Sequence, residues 1–205
     1  MHRWIAGGVL FIMASGSAHA QARLGPVPQE TLTAEHRAAM EAFRKARGGT
    51  EVFGPFEPML WSPEAMVRTG AMGDYLRFKS AYPPPLSELI ILITARSWSQ
   101  QYEWTVHQPI ALKAGIDPAI VDAIAEGRRP EGMSGDQAML YDFITELIQN
   151  KSVSDPTYAR VLARFGEKGV VDAVTITGYY TLLAMVLNTA RTPPAPGAPL
   201  LPPLP

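Results

Sequence analysis

A glutamate and a histidine four residues apart are the chemistry this sequence offers most openly. They lie in SQQYEWTVHQP, residues 99–109, directly after the apolar run LIILIT of residues 89–94. On a helix, side chains at that spacing meet. Glu103 and His107 then share one face with Ile110, Ala111 and Ala114, whose apolar side chains keep the local dielectric low. A carboxylate beside an imidazole stabilises the imidazolium and fixes which ring nitrogen holds the proton. That is how a general acid or base is tuned, and it is also how a buried polar pair satisfies itself. Pro109 follows two residues later, removes a hydrogen bond to the Thr105 carbonyl and is expected to kink the helix. A zinc site is the weaker reading, because Glu103 and His107 would need further ligands. The chain has no cysteine, and outside the first twenty residues its one other histidine is His36. No metal and no cofactor are expected.

Helices must position this pair. Thr33 is an N-cap for AEHRAAMEAFRKAR, which stops at Gly48-Gly49. Ser62, Pro63 and Glu64 open a helix expected to run to about Ser80. Pro83 to Pro85 break the chain, and Ser87 is the expected cap of the apolar stretch that follows. That stretch could be a strand by periodicity alone, but no second β-rich segment exists to pair with it. Gly115 ends the Glu103–His107 segment; Asp117-Pro118 restarts a short helix. Ser134 and Gln137 form a capping box before AMLYDFITELIQN. Asp155-Pro156 opens TYARVLARF, and Gly166 or Gly169 separates it from VVDAVTITGYYTLLAMVLNTAR, which is apolar nearly all round. Such a helix must be buried, in its own bundle or against another subunit. The sum is an all-α domain of about seven helices, residues 21–191, expected to form oligomers.

Composition narrows the class. The chain has 205 residues, 47% hydrophobic and 18% charged, with a net charge of −1. One globular domain fits those numbers, and a nucleic-acid partner, which needs a basic excess, does not. Residues 1–20 carry basic residues first, then an apolar centre from Trp4 to Ala14, then Ala18-His19-Ala20. This is the pattern of a secretory signal peptide, and the apolar centre is shorter than the roughly 20 residues of a membrane span. The expected mature protein begins near Gln21, lies in the periplasm or outside the cell, and touches no membrane; an uncleaved anchor is the alternative. From Thr192 to the terminus seven prolines make a polyproline-like tail, residues 192–205. It is either disordered or laid along this subunit or a neighbouring one.

The run SELIILITARSWSQQYEWTVHQPIALKAGI, followed by VVDAVTITGYYTLLAMVLNTARTP, resembles the carboxymuconolactone decarboxylase family, relatives of the alkylhydroperoxidases. The likeness spans Phe56 to Pro193. It implies an alkylhydroperoxidase-like helical fold, with apolar helices packed between the subunits of a trimer or hexamer. In the peroxidase branch a Cys-x-x-Cys pair precedes the histidine; here those positions are Gln100 and Glu103, so thiol peroxidase chemistry is not available. The decarboxylase branch carries glutamate and histidine in this arrangement. The resemblance implies a cofactor-free lyase or isomerase acting on a small acidic lactone or aromatic-derived substrate, with His107 as the acid and Glu103 orienting it. Losing CO₂ leaves an enolate to be protonated, and an acidic substrate needs a cation to hold it. Arg96 is the candidate carboxylate clamp, or else a helix-end arginine. Glu88 matches the family's upstream acid, as a supporting partner of the site or a buried salt bridge. Tyr102 and Trp104 fall on other faces of their helix and are expected to pack; Tyr179 and Tyr180 either line a pocket or, as the safer expectation, pack in the core. Two other functions fit the same residues: an exported binding or scaffold protein without turnover, and a peroxidase-related activity not based on thiols.

Overall fold

The computed structural model describes residues 22–194, 197 and 199–204. The signal-peptide pattern and the Ala18-His19-Ala20 sequence lie outside the described residues. Among those described there are eight α-helices and no strand. A single 3-10 turn, Gln29–Thr31, leads into α1 (Ala34–Ala46). Thr33 caps α1 as expected, and His36 closes the capping box from the other side. One of the two candidate histidines is therefore engaged in a helix start.

A four-residue helix that the sequence does not announce, α2 (Phe56–Met59), precedes α3 (Pro63–Phe78). The next helix, α4 (Pro84–Ser97), begins three residues before the expected Ser87 cap. Pro84 and Pro85 occupy its first turn, where the missing N–H groups have no intrahelical partner to lose. Residues 86–96 of α4 are all buried, and α4 packs against α5 (Gln101–Lys113), α6 (Pro118–Ala125), α7 (Gly135–Asn150) and α8 (Asp155–Ala190). An element apolar on every side is stable only in such a position. The apolar run is a helix.

Caps fix the ends. The Gln100 side chain accepts from the Glu103 N–H at 2.9 Å, Asp117 caps α6 through Ala119, and Ser134 and Gln137 form the expected box. Pro109 does not end α5, which runs on to Lys113 with the proline on its exposed side. Gly166 interrupts α8, at φ 68° and ψ −176°. Gly169, the alternative break point, stays helical and buried; its carbonyl accepts from the Tyr82 hydroxyl at 2.7 Å.

Residues 201–204 of the C-terminal segment lie along their own subunit. Leu201 is 4% exposed, and its N–H and C=O bond to the Gln101 side chain at 2.8 and 3.1 Å. Along α8 a stripe stays exposed: Val171, Val174, Gly178, Leu182 and Met185. That spacing marks one helix face.

Candidate functional site

Three helices build the site. Glu88, on the second turn of α4, is 5% exposed; Glu103 and His107, on successive turns of α5, are 3% and 4% exposed. His107 Nδ1 lies 2.7 Å from Glu88 Oε2, and Nε2 lies 3.5 Å from Glu103 Oε2. Glu88 is therefore the nearer partner, where the sequence suggested Glu103. The helical i,i+4 relation brings Glu103 only alongside the ring, whereas the crossing of α4 over α5 sets Glu88 at hydrogen-bond distance. A carboxylate there holds a proton on Nδ1 and turns Nε2 toward Glu103. From α8, Tyr180 meets the imidazole edge-on, ring centres 5.0 Å apart, and Tyr179 stands against Tyr180 at 5.3 Å.

The two carboxylates differ in their surroundings. Glu88 has its histidine. Glu103 has one oxygen near Nε2, while its other, Oε1, is buried without a hydrogen-bond partner. Burial pushes the Glu103 carboxyl above its ordinary range and Glu88 adds to that; His107 and Arg77 pull the other way. A buried carboxyl so raised, facing an imidazole, is a proton-transfer unit in the making.

The line Glu88–His107–Glu103 runs between two cavities. One, of about 60 Å³, is lined by Glu103, His107, Arg47, Tyr102, Tyr179 and Arg77, among others. The second, of about 210 Å³, is bounded by Glu88, Ser87, Phe78, Ile110, Arg77 and Tyr180, among others. Arg77 and Tyr180 belong to both walls. Arg77 is exposed, near the end of α3, with its guanidinium over the Phe78 ring. Arg47 is held by Asp74 at 2.9 Å and lies over the rings of Phe43 and Phe56. Burial raises the hydroxyl pKa of both Tyr179 and Tyr180, so both are donors at any ordinary pH.

Small residues shape this wall. A Cβ on Gly73 of α3 would stand 2.1 Å from the Tyr179 hydroxyl, so only glycine admits that ring. Gly54, at φ +58°, does the same for Tyr102, whose hydroxyl would lie 2.7 Å from a Cβ there. Trp104 is buried packing. Gln100 caps α5 and donates to Asn188 Oδ1 at 3.1 Å, tying α5 to α8.

Arg96 is not part of this arrangement. It lies two turns further along α4 than Glu88, lines a different cavity, and donates to the Pro202 carbonyl. Eight residues of helix carry it about 12 Å along the axis from Glu88. Arg77, by contrast, lines the cavities that His107 and Glu88 border. Nothing in the local sequence marks Arg77, because only the packing of α3 against α8 brings it there. Among the described residues no group of three or more His, Asp or Glu side chains is arranged to hold a metal ion.

No family model matches the sequence, and no curated protein sequence matches it. Solved structures do. The apo crystal structure of the debrominase Bmp8 is 14% identical with a TM-score of 0.63, over 84% of this chain and 92% of that one. A cysteine-to-alanine variant of Bmp8 in complex with 2,3,4-tribromopyrrole is 11% identical with a TM-score of 0.64, over 85% and 92%. At such identities the likeness speaks to architecture: the chain has the all-α, alkylhydroperoxidase-like helical fold.

Proposed function

We propose that this protein is a cofactor-free acid–base enzyme, a lyase or isomerase acting on a small acidic lactone or aromatic-derived substrate. One observation carries the reading: Glu103, buried and with its pKa raised, sets one oxygen near His107 Nε2 and leaves the other unpartnered, in the wall of a cavity that an arginine also lines. Arg77 holds a substrate carboxylate that is not lost. The bond to the departing carboxylate breaks, CO₂ leaves, and the electron pair passes into the conjugated lactone carbonyl as an enolate. Tyr179 and Tyr180 donate toward that oxygen. Glu103 and His107 deliver the proton to carbon, with Glu88 orienting the imidazole, and solvent reprotonates the pair. General acid catalysis by a positioned pair contributes about 10²–10⁴-fold.

The ligand of the debrominase variant, 2,3,4-tribromopyrrole, is also a small flat ring. The variant there replaces a cysteine, however, and this chain has none. A thiol step is not on offer. CO₂ release from a panel of lactone acids tests the reading. His107→Ala and Glu103→Gln should each lower turnover about a hundred-fold in a protein that stays folded. Variants that keep full specific activity would refute it, and an acid that binds the wild type without product would favour the binding-protein alternative.

Self-association and export belong to the same proposal. The exposed stripe Val171, Val174, Gly178, Leu182, Met185 supports a subunit interface on α8, since an apolar helix face is seldom left in water. Gly178 has nothing within 4 Å of a would-be Cβ, which lets a second helix approach closely. The trimer or hexamer remains our reading of oligomer state. Residues 1–20 support a periplasmic or secreted mature form.

A further inference from the structure

The cavity that Arg96 lines has a volume of about 270 Å³. Its wall includes Ile93, Ile124, Ile148, Tyr141 and Leu204, and it shares no residue with the two cavities beside His107. Arg96 is 5% exposed, yet its guanidinium is only partly engaged. Nη1 donates to the Pro202 carbonyl at 2.8 Å; Nε and Nη2 are buried and have no partner.

Those two nitrogens form one edge of the planar fork, the edge that takes a carboxylate by two parallel bonds. Arginines on the surface use that edge on two carboxylate oxygens at once. Arg44 grips Glu51 through Nε and Nη2 at 2.9 and 2.8 Å, and Arg164 grips Asp136 through the same pair, both at 2.8 Å. At Arg96 the fork is set in an apolar wall, and no acidic side chain among the described residues meets it. Burial without a counter-charge lowers its pKa from the usual value. A buried cation with two unmade bonds costs stability, and a bound anion would recover both bonds.

We propose that this cavity is a binding site for a small carboxylic acid with an apolar body, its carboxylate gripped by Nε and Nη2 of Arg96 and its body on Ile93, Ile124 and Ile148. The volume lies just below that of pockets for drug-sized ligands, which suits an acid of about benzoate size. The C-terminal segment forms the outer wall. Leu201 is pinned by Gln101, Pro202 by Arg96, and Leu204 covers Gly127 so closely that a Cβ there would lie 2.5 Å from Leu204 Cδ2. At φ +74° this glycine also suits its own backbone. The site stands apart from Glu88, His107 and Glu103 and does not depend on the reaction assigned to them.

The test uses the full chain and benzoate, with benzyl alcohol as the uncharged control, by titration calorimetry and spectra of ¹³C-methyl-labelled isoleucine. Benzoate should bind at least about tenfold more tightly than benzyl alcohol, shift the methyls of Ile93, Ile124 and Ile148, and raise the melting temperature of the wild type. Arg96→Met should lose that binding. Arg96→Lys keeps the charge without the two-pronged edge and should weaken binding about tenfold or more. Leu204→Ala, half-exposed and therefore safe for folding, should weaken it by a smaller factor. Benzoate that fails to bind the wild type at about 10 mM, or that binds folded Arg96→Lys equally well, would overturn the proposal. So would binding that survives in Arg96→Lys and is lost in Arg77→Met, which would assign it to the other cavity.

Discussion

Replacing Glu103 by glutamine should make the protein more stable and less active, and the stability gain should depend on pH. Glu103 is 3% exposed and its Oε1 has no partner. Burial raises its carboxyl pKa in the folded state, so the folded protein binds this proton more tightly than the unfolded chain. Stability from this group is full below the unfolded carboxyl range, about pH 4, and falls as pH rises toward the raised folded value. Glutamine has no such slope. The two proteins should melt together in acid and diverge toward about pH 8. One buried polar atom left unsatisfied costs about 1–3 kcal/mol. At about 2 kcal/mol, the melting temperature of a chain this size moves by about 4–8 °C, upward for Glu103→Gln. Turnover should fall about a hundred-fold over the same range. Scanning calorimetry from about pH 4 to 8 reads the first quantity and CO₂ release the second. A variant that melts lower than the wild type near pH 8 would refute the reasoning, since it would mean that the ionised carboxylate has a favourable partner. A stability difference that does not change with pH would refute it equally.

Other outcomes follow from the packing. Gly73→Ala puts a methyl where the Tyr179 hydroxyl lies; overpacking of this kind costs about 1–3 kcal/mol, and turnover should fall further than stability as Tyr179 withdraws from the cavity. Asp172, 2% exposed, accepts from the Ala81 N–H at 2.7 Å and the Tyr75 hydroxyl at 3.2 Å and pairs with Lys168; Asp172→Ala should cost about 1–3 kcal/mol by chemical denaturation, because the Ala81 donor is left unpaired. Val174→Asp with Leu182→Asp should leave a folded protein of monomer mass by light scattering, if the α8 stripe is a subunit interface. N-terminal sequencing of exported protein should read from Gln21, whereas an intact Met1 on a membrane-bound product would contradict processing.

Local chemistry decided much of the architecture. Thr33, Ser134 with Gln137, Asp117, and the prolines at 63 and 118 start helices where a side-chain acceptor or a fixed φ makes a start favourable. The pairing of Glu103 with His107 is likewise local, since four residues of helix bring them together anywhere. Gly166 breaks α8 at a positive φ that glycine, lacking a Cβ, adopts without strain. Where tertiary contacts compete, the sequence says less. Pro84 and Pro85 read as a break, yet they form the first turn of α4 because nothing in that turn needs their missing donors. Glu88 lies nineteen residues from His107 and is its closest partner only because α4 crosses α5. Arg77 and Arg96 are both arginines near a helix end, and no local pattern separates them. Packing of α3 against α8 puts one in the wall of the cavities that His107 and Glu88 border, and the length of α4 carries the other to a separate cavity under the C-terminal segment. Spacing along a helix is encoded by periodicity, whereas contact between helices depends on how a whole set of apolar faces closes.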